Sequence, residues 1–427
     1  MGSVLRSVSR RKKRKLIGPP QMIRREDYQE QGLDTRLELI RALIPLGLIA
    51  VYEELEAEVE QLAGQRYARK PEDGKCYRYG SNHGSVKLGG QRVPVSVSRV
   101  RGPQGEVALS SYQRLHKGKD LDEGLFRRVL YGISCRDYEA ATDAIPGAIG
   151  LSRSTVSRRF IEASSEQVRE FQERDLSGQD IVAIFADGKS FAEDQMVLAL
   201  GVTMDGQKVM LGFVQTETEN TRVLVNFFRS LLDRGLDVSR GTLVVIDGAK
   251  GLSSAVKKAF TKRVLIQRCQ WHKRENVVSH LAKSEQAHWR RRLQNAYERP
   301  TYKEAKEELL KLHAELDELN QSAARSLKEG LEETLTLHRL GLFAKLGRSF
   351  KTTNCIESVN SMAERQCGKV DYWKNSSQKN RWFASALMDI EPRLRKVMGY
   401  RQLYKLRDAL MTGLGIKSEE LISKRAA

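Results

Sequence analysis

Cysteine is scarce in this 427-residue chain: Cys76, Cys135, Cys269, Cys355 and Cys367 are odd in number and scattered. That pattern excludes a disulfide framework and suits a reducing compartment. Long apolar runs are missing too. The longest, Ala42–Val51, is about half the ~20 residues that a membrane-spanning helix needs, and it contains Pro45 and Gly47. The first ten residues lack the apolar centre of a secretion signal, so a cytoplasmic location without a membrane partner is expected. Internal repeats are absent, and residues 1–20 contain no acid.

What is present is positive charge. Lys and Arg number 73 against 54 Asp and Glu, a net +19, and neutralising the phosphates of a polyanion releases counterions, so nucleic acid is the expected partner. Arg10, Arg11, Lys12 and Lys13 open the six-residue basic run Arg10–Lys15, and the stretch 1–20 that carries it ends in Gly18-Pro-Pro. This reads as a disordered arm, either a solvated tail or a phosphate-contacting one. Hydrophobic residues make up 40% of the chain, ample for packed cores, and the length suggests roughly three domains.

Periodicity divides the rest. Apolar residues recur at helical spacing from Leu33 to Leu62, and alternation over Arg92–Arg101 predicts a short β element with basic ends. Helical stretches at Asp122–Leu130 and Cys135–Ala144 precede a third helix after Gly150. In that helix Val156, Phe160 and Ala163 share one face and Ser152 is placed to cap the start, leaving Arg153, Ser154, Ser157 and Arg158 outward as DNA-reading residue types. From 181 the order is β-β-β-α-β-α-β-α, with Asp205-Gly206 predicting a two-residue hairpin. This mixed sheet with helices on its faces resembles the ribonuclease H-like order. The expected α/β organisation is a basic arm (1–20), a helical region with a β element (21–120) and a helix-turn-helix-like DNA-binding domain (121–165). A catalytic domain in two parts (181–284 and 350–395) follows, interrupted by an all-α insertion (285–349), and the chain closes with a helical tail (396–427).

Three acids stand out. Asp187 closes the apolar run from Ile181, Asp247 closes Leu243–Ile246, and Glu357 lies in a helical stretch, Thr352-Thr-Asn-Cys-Ile-Glu-Ser-Val-Asn360. Magnesium takes oxygen ligands, and a two-metal phosphoryl-transfer site needs carboxylates from separate segments, so two divalent ions, Mg2+ with Mn2+ as a substitute, are expected there. Gly188 and Gly248 are read as tight turns after the strands. Glu193, Asp194, Glu217 and Glu219 are read as structural. Cys269 and His272 have a two-ligand zinc spacing but no second pair, which argues against zinc. Trp271 is a core aromatic or a stacking residue, and Lys189, Lys250 and Lys273 are surface lysines or phosphate clamps.

The segments Asp187-Gly-Lys, Leu198-Ala-Leu-Gly-Val202, Thr218-Glu-Asn220, Ile246-Asp-Gly248, Gln267-Arg-Cys-Gln-Trp-His-Lys273 and Thr352–Asn360, in this order, closely resemble bacterial insertion-sequence transposases of the Mutator type. The resemblance continues through Arg381-Trp-Phe-Ala384 and Gly399-Tyr-Arg-Gln-Leu403. It implies that Asp187, Asp247 and Glu357 form a DDE triad in a ribonuclease H-like domain split by an all-α insertion. It also gives Cys269, Trp271, His272 and Lys273 a role in shaping the active site or touching DNA. The expected activity is cleavage at transposon ends and transfer of the 3′-OH to target DNA, by a homodimer that pairs two ends. The alternative is a non-catalytic, sequence-specific DNA-binding protein derived from a transposase.

Overall fold

The computed structural model describes residues 33–67, 76–88, 91–117, 123–132, 135, 152–191, 193–216 and 220–416. The chain falls into two compact units, one of residues 1–119 with 143–150, the other of 120–142 with 151–427. Arg10, Arg11, Lys12 and Lys13, the helix expected at Cys135–Ala144 apart from Cys135, and Glu217 and Glu219 lie outside the described residues.

In the smaller unit a long helix, α1 (Leu33–Ala63), accompanies an antiparallel sheet of β1 (Tyr77–Leu88), β2 (Gln91–Gly102) and β3 (Gly105–Val107), and then α2 (Ser110–Lys117). Val51, Leu55 and Val59, one helical turn apart on α1, are buried in one core with Val86, Val93, Val95 and Val97 of the hairpin. The carboxylate of Glu58 accepts the backbone N–H groups of Ser110 and Ser111 at 2.8 and 2.9 Å, so α1 supplies the cap for α2. No helix among the described residues is long and apolar enough to cross a membrane.

The larger unit opens with α3 (Glu123–Leu130) and α4 (Arg153–Glu173). A five-stranded sheet follows, built of β4 (Ile181–Phe191), β5 (Asp194–Thr203), β6 (Lys208–Thr216), β7 (Thr242–Ile246) and β8 (Val264–Arg268), with α5 (Thr221–Asp233) and α6 (Lys250–Phe260) between its later strands. The spatial order is β6-β5-β4-β7-β8; the first three strands are antiparallel and β7 and β8 run parallel to β4. The mixed α/β class is as expected. A central strand is covered on both faces, and β4 sends alternate side chains into two cores. Ile184 and Ala186 meet α5 and α6 through Leu224, Phe228, Val256 and Phe260. Ala183 and Phe185 face the opposite core, which includes Phe126 of α3 and Val156 and Phe160 of α4.

After β8 the chain is helical: α7 (Gln270–Val278), α8 (Lys283–Tyr297), α9 (Tyr302–Leu319), α10 (Gln321–Lys328), α11 (Leu331–Thr334), α12 (Thr336–Arg339), α13 (Phe343–Phe350), α14 (Asn354–Cys367), α15 (Ser376–Ile390) and α16 (Leu403–Gly413). The stretch from Val277 to Leu335 closes its own core around Trp289, Leu293, Leu309 and Leu316. Helices α13 to α16 return to the sheet and share the core of Phe185.

Two turns differ from expectation. Four residues, 204–207, separate β5 from β6, and the connection is closed by Gly206 N–H to Thr203 O at 2.9 Å and Thr203 N–H to Gln207 O at 3.0 Å, with Gly206 at φ +87, a left-handed conformation that glycine adopts without strain. Strand β4 does not end at Asp187 but continues to Phe191, so Gly188 sits inside a strand, opposite Val197, and makes no turn.

Candidate active site

The register of the sheet sets two of the acids side by side. Parallel pairing of β4 with β7 stops at Ala186 opposite Ile246, and an acid follows each: Asp187 within β4 and Asp247 just past the end of β7. Neighbouring strands lie ~4.8 Å apart, and alternation sends the Asp187 side chain to the face shared by Phe185 and Val245, where the charge of Asp247 reaches it. Helix α14 packs on that face through Ile356, Val359, Ala363 and Cys367, all buried.

The helix lies along β4 in step with it. Asn360 Nδ2 donates to Asp187 Oδ2 at 3.2 Å, and one turn later Glu364 accepts from Lys189 Nζ at 2.6 Å. Four helical residues rise ~6 Å and two strand residues ~6.8 Å, so successive rungs match. Glu357, one turn before Asn360, is thereby carried back along β4 to the level where β7 ends, and its charge and that of Asp247 both reach Asp187.

Three loops meet beneath Glu357. Cys269 N–H donates to Ile246 O at 2.8 Å and Gln270 N–H to Lys351 O at 2.9 Å, joining the ends of β7 and β8 to the approach to α14. The hydroxyl of Thr353 donates to Glu357 Oε1 at 2.6 Å and stands 3.2 Å from His272 Nδ1 and 3.4 Å from Cys269 Sγ. The buried Cys269 sulfur also accepts the His272 N–H at 3.5 Å, which caps α7. His272 Nε2 lies 4.0 Å from Glu357 Oε1.

Electrostatics tie the acids together. Burial first, and then the negative charges of Asp247 and Glu357, push Asp187 up to about 7 against the opposing pull of His272. His272 is raised to about 9 by its bond to Cys269, and by the charges of Cys269, Glu357 and Asp247, against burial. Its ring is then an imidazolium whose Nδ1–H points to Thr353. Burial pushes the Cys269 thiol up, but hydrogen bonds from His272 and Thr353 outweigh it and hold the thiol below its usual value. One oxygen of Asp247 accepts from Ala249 N–H at 2.9 Å, so the other is the one that can face a ligand.

A hard divalent cation takes oxygen ligands. The donors here are three carboxylates and a buried amide oxygen, Asn360 Oδ1, which has no hydrogen-bond partner. Their chemistry fits magnesium. Their spacing is wider than direct shared coordination: among the described residues no three His, Cys, Asp or Glu form a group that could hold a metal ion as they stand. The carboxylates must draw together to share one.

The remaining expected residues divide. Trp271 is 45% exposed with its ring edge-on to His272, so it is not a core aromatic. Lys273 is the opposite case: it is buried, and its ammonium donates to the carbonyls of Ser326 and Glu329 at 2.6 Å each, so it caps α10 rather than clamping a phosphate. Burial lowers it to about 8. Lys189 is held by Glu364, and Lys250 is exposed beside Glu329. Asp194 is bonded by Gln215 and by Lys379, as a structural acid would be.

On α4, Arg153, Ser154 and Arg158 are exposed and Ser157 is half-buried, while Val156, Phe160 and Ala163 are buried. Phe160 stacks on Phe126 at 5.3 Å and meets Trp382 of α15 at 5.0 Å, so α4 is rooted in the larger unit's core. Ser152 occupies the cap position, but its hydroxyl turns to Thr155 Oγ1 and caps no backbone amide.

Sequence reasoning passed over Asn360, Thr353 and Arg268. The first was legible, because Asn360 follows Glu357 by one helical turn within the same motif. Arg268 is not legible from spacing. Its guanidinium lies between Gly248 (φ +105) and Gly330 (φ +64), where an added Cβ would come within 1.8 Å of Nε and 2.4 Å of Nη1. It thereby joins the loop after Asp247 to the loop after α10, where it also bonds Glu329 O at 3.3 Å.

A family model described as transposase, Mutator family, matches residues 23–395. The chain is 28% identical over 363 residues to the transposase for insertion sequence element IS256 in transposon Tn4001 of Staphylococcus aureus, covering 80% of this chain and 88% of that protein. It is 26% identical over 355 residues to the transposase for IS905 of Lactococcus lactis subsp. lactis (strain IL1403), covering 80% and 86%. To the transposase for IS6120 of Mycolicibacterium smegmatis it is 29% identical over 239 residues, covering 54% and 72%.

Proposed function

The chain belongs to the Mutator family of transposases, and on that premise we propose that Asp187, Asp247 and Glu357 are the acids with which it cuts and joins DNA. It binds the terminal inverted repeats of its element, hydrolyses the phosphodiester at each end to free a 3′-OH, and joins that hydroxyl to target DNA by direct transesterification. The observation that carries this reading is the approach of three acids from three separate segments: Asp187 and Asp247 each follow a member of the Ala186–Ile246 pair, and Glu357 lies one helical turn from Asn360, which donates to Asp187. The strand order, three antiparallel strands and then two parallel to the first, supports a ribonuclease H-like domain. The separate core of Val277–Leu335 supports an all-α insertion within it.

In each step an oxygen, first of water and then of the 3′-OH, attacks phosphorus in line as the opposite P–O bond breaks, so no covalent enzyme intermediate is needed. Two Mg2+ ions, replaceable by Mn2+, would be held by Asp187, Asp247 and Glu357 and would supply activation of the attacking oxygen and stabilisation of the leaving one. The chain's own residues prepare the acids. Asn360 fixes the Asp187 carboxylate from the helix side, and Thr353 holds one oxygen of Glu357 beside His272. His272 contributes one positive charge among three negative ones. Pairing two transposon ends calls for two copies of the chain, hence a homodimer.

The test is incubation of the full chain with duplexes carrying the element's ends and magnesium. Wild type should nick at the ends and transfer strands; Glu357→Gln and Asp247→Asn, near-isosteric losses of charge, should bind the same duplexes without cutting. A variant that cuts at the wild-type rate would remove the triad assignment. Wild-type binding with no cutting in any divalent ion would favour the non-catalytic DNA-binding alternative.

A further inference from the structure

The smaller unit carries a surface that this chemistry does not use. Strands β1 and β2, twelve residues each, pair from Tyr77 with Arg101 to Leu88 with Gln91, and their inner row, including Val86, Val93 and Val95, is buried in the core shared with α1. The outer row is polar, aromatic and basic. From Cys76 to Gly105 the sequence has five Lys or Arg, a histidine, and no Asp or Glu.

The register concentrates that charge at two ends. At one, Lys87 stands directly opposite Arg92, and like charges facing each other across a sheet destabilise it unless a counter-charge lies over both. At the other, Tyr77 stands opposite Arg101, and the ring of Tyr79, 45% exposed, has the guanidiniums of Arg99 and Arg101 at 5.0 and 5.2 Å. Arg99 is answered by Glu106 of β3 in a two-pronged pair at 2.7 Å. Neither strand offers an acid to Lys87 or Arg92, while Arg101 stands opposite Glu106 across the β2–β3 pair and shares that carboxylate with Arg99. Between the ends lie small polar side chains, with His83 facing Ser96 and Ser81 facing Ser98.

We propose that the outer face of the β1–β2 ribbon docks on duplex DNA, with Lys87 and Arg92 at one end and Arg101 at the other meeting phosphates about one helical turn apart. At ~3.4 Å per residue the two ends are about 30 Å apart, close to the ~34 Å of one duplex turn. A two-stranded ribbon is a shape that the major groove admits. The irregular pairing between Arg78 and Ser81, with Gly80 at φ +74, adds twist to the ribbon. The inference rests on the reading of the chain as a transposase and assigns the smaller unit a share of DNA capture, separate from the acids.

The test uses the full chain, a 30-base-pair duplex that wild type enriches from a random library, and a scrambled duplex, across a salt series. Lys87→Ala/Arg92→Ala/Arg101→Ala should weaken binding to both duplexes and lower the log–log salt slope by about 2.7, at ~0.9 for each phosphate no longer neutralised. Lys87→Gln/Arg92→Gln should lower it by about 1.8 while leaving the thermal midpoint unchanged or higher, since it removes a repulsion; a merely structural role would lower the midpoint and spare the slope. Wild-type affinity and slope in both variants would overturn the inference, as would loss of binding to anionic vesicles with duplex binding intact. Failure of wild type to bind any duplex would instead remove the transposase reading beneath it.

Discussion

Replacing Asp187 by Asn should make the metal-free protein more stable at pH 8 while ending its cleavage activity. In the fold this carboxyl is pushed from 3.8 to about 7, so between those values the native chain holds a proton that the unfolded chain has already released, and at pH 8 it must carry the charge its site disfavours. The sign follows: the folded pKa of an acid lies above its unfolded value, so stability is lost as pH rises from about 4 to about 7 and stays lost above that. A shift of about three units corresponds to roughly 4 kcal/mol, an upper bound because neighbouring charges relax. Asn cannot ionise and keeps the volume. Urea denaturation in EDTA, followed by tryptophan fluorescence, reads the relevant unit, because Trp271, Trp289, Trp373 and Trp382 all lie in it. The expected advantage of the variant is about 2–4 kcal/mol at pH 8, shrinking towards zero near pH 4. Magnesium should then stabilise wild type, through binding to the native state alone, and leave the variant unmoved. An Asn variant equal to or weaker than wild type at pH 8 in EDTA would refute the argument that the three charges are in conflict.

Three further outcomes follow from the site. Thr353→Val keeps the volume but removes the hydroxyl beside Glu357, His272 and Cys269, and should cost roughly 1–3 kcal/mol of stability and most of the cleavage rate, with Thr353→Ser retaining both; a Val variant as active as wild type would exclude the hydroxyl as the orienting group. Gly248→Ala puts a methyl into Arg268 on a left-handed backbone and should lower stability by on the order of 1–3 kcal/mol, with Arg268→Ala in the same chain recovering part of the loss; thermal unfolding of the single and double variants decides. Arg158→Ala should reduce the preference for terminal repeats over random duplex by about tenfold if that exposed arginine reads a base, whereas equal weakening on both would make it a phosphate contact.

Much of the larger unit was legible because buried strands write themselves as continuous apolar runs: Ile181–Ala186 and Leu243–Ile246 sit within β4 and β7, and the acids after them mark where parallel pairing stops. The extension of β4 through Gly188 and Ser190 was not legible, since polar residues stay in a strand there only because β5 continues alongside. The partners of Lys273 are carbonyls at Ser326 and Glu329, more than fifty residues later in the chain, and no local pattern reveals them. Trp271 was undecidable for the same reason: whether a helix's second residue meets core or solvent depends on what else covers it. Ser152 had the right residue type and place, yet a hydroxyl three residues on drew it away.

Arg268, wedged between Gly248 and Gly330, has a hereditary consequence. The three positions come from three distant stretches of chain, and the gap left by two missing side chains is filled by the third. Drift at any one of them is therefore conditional. A larger residue at 248 or 330 meets two obstacles, the Arg268 guanidinium and a positive φ, and a lineage in which 268 has already become small has removed only the first. Among descendants of this chain the three codons should change in that order or stay as they are, so the wedge acts as a ratchet on mutational history.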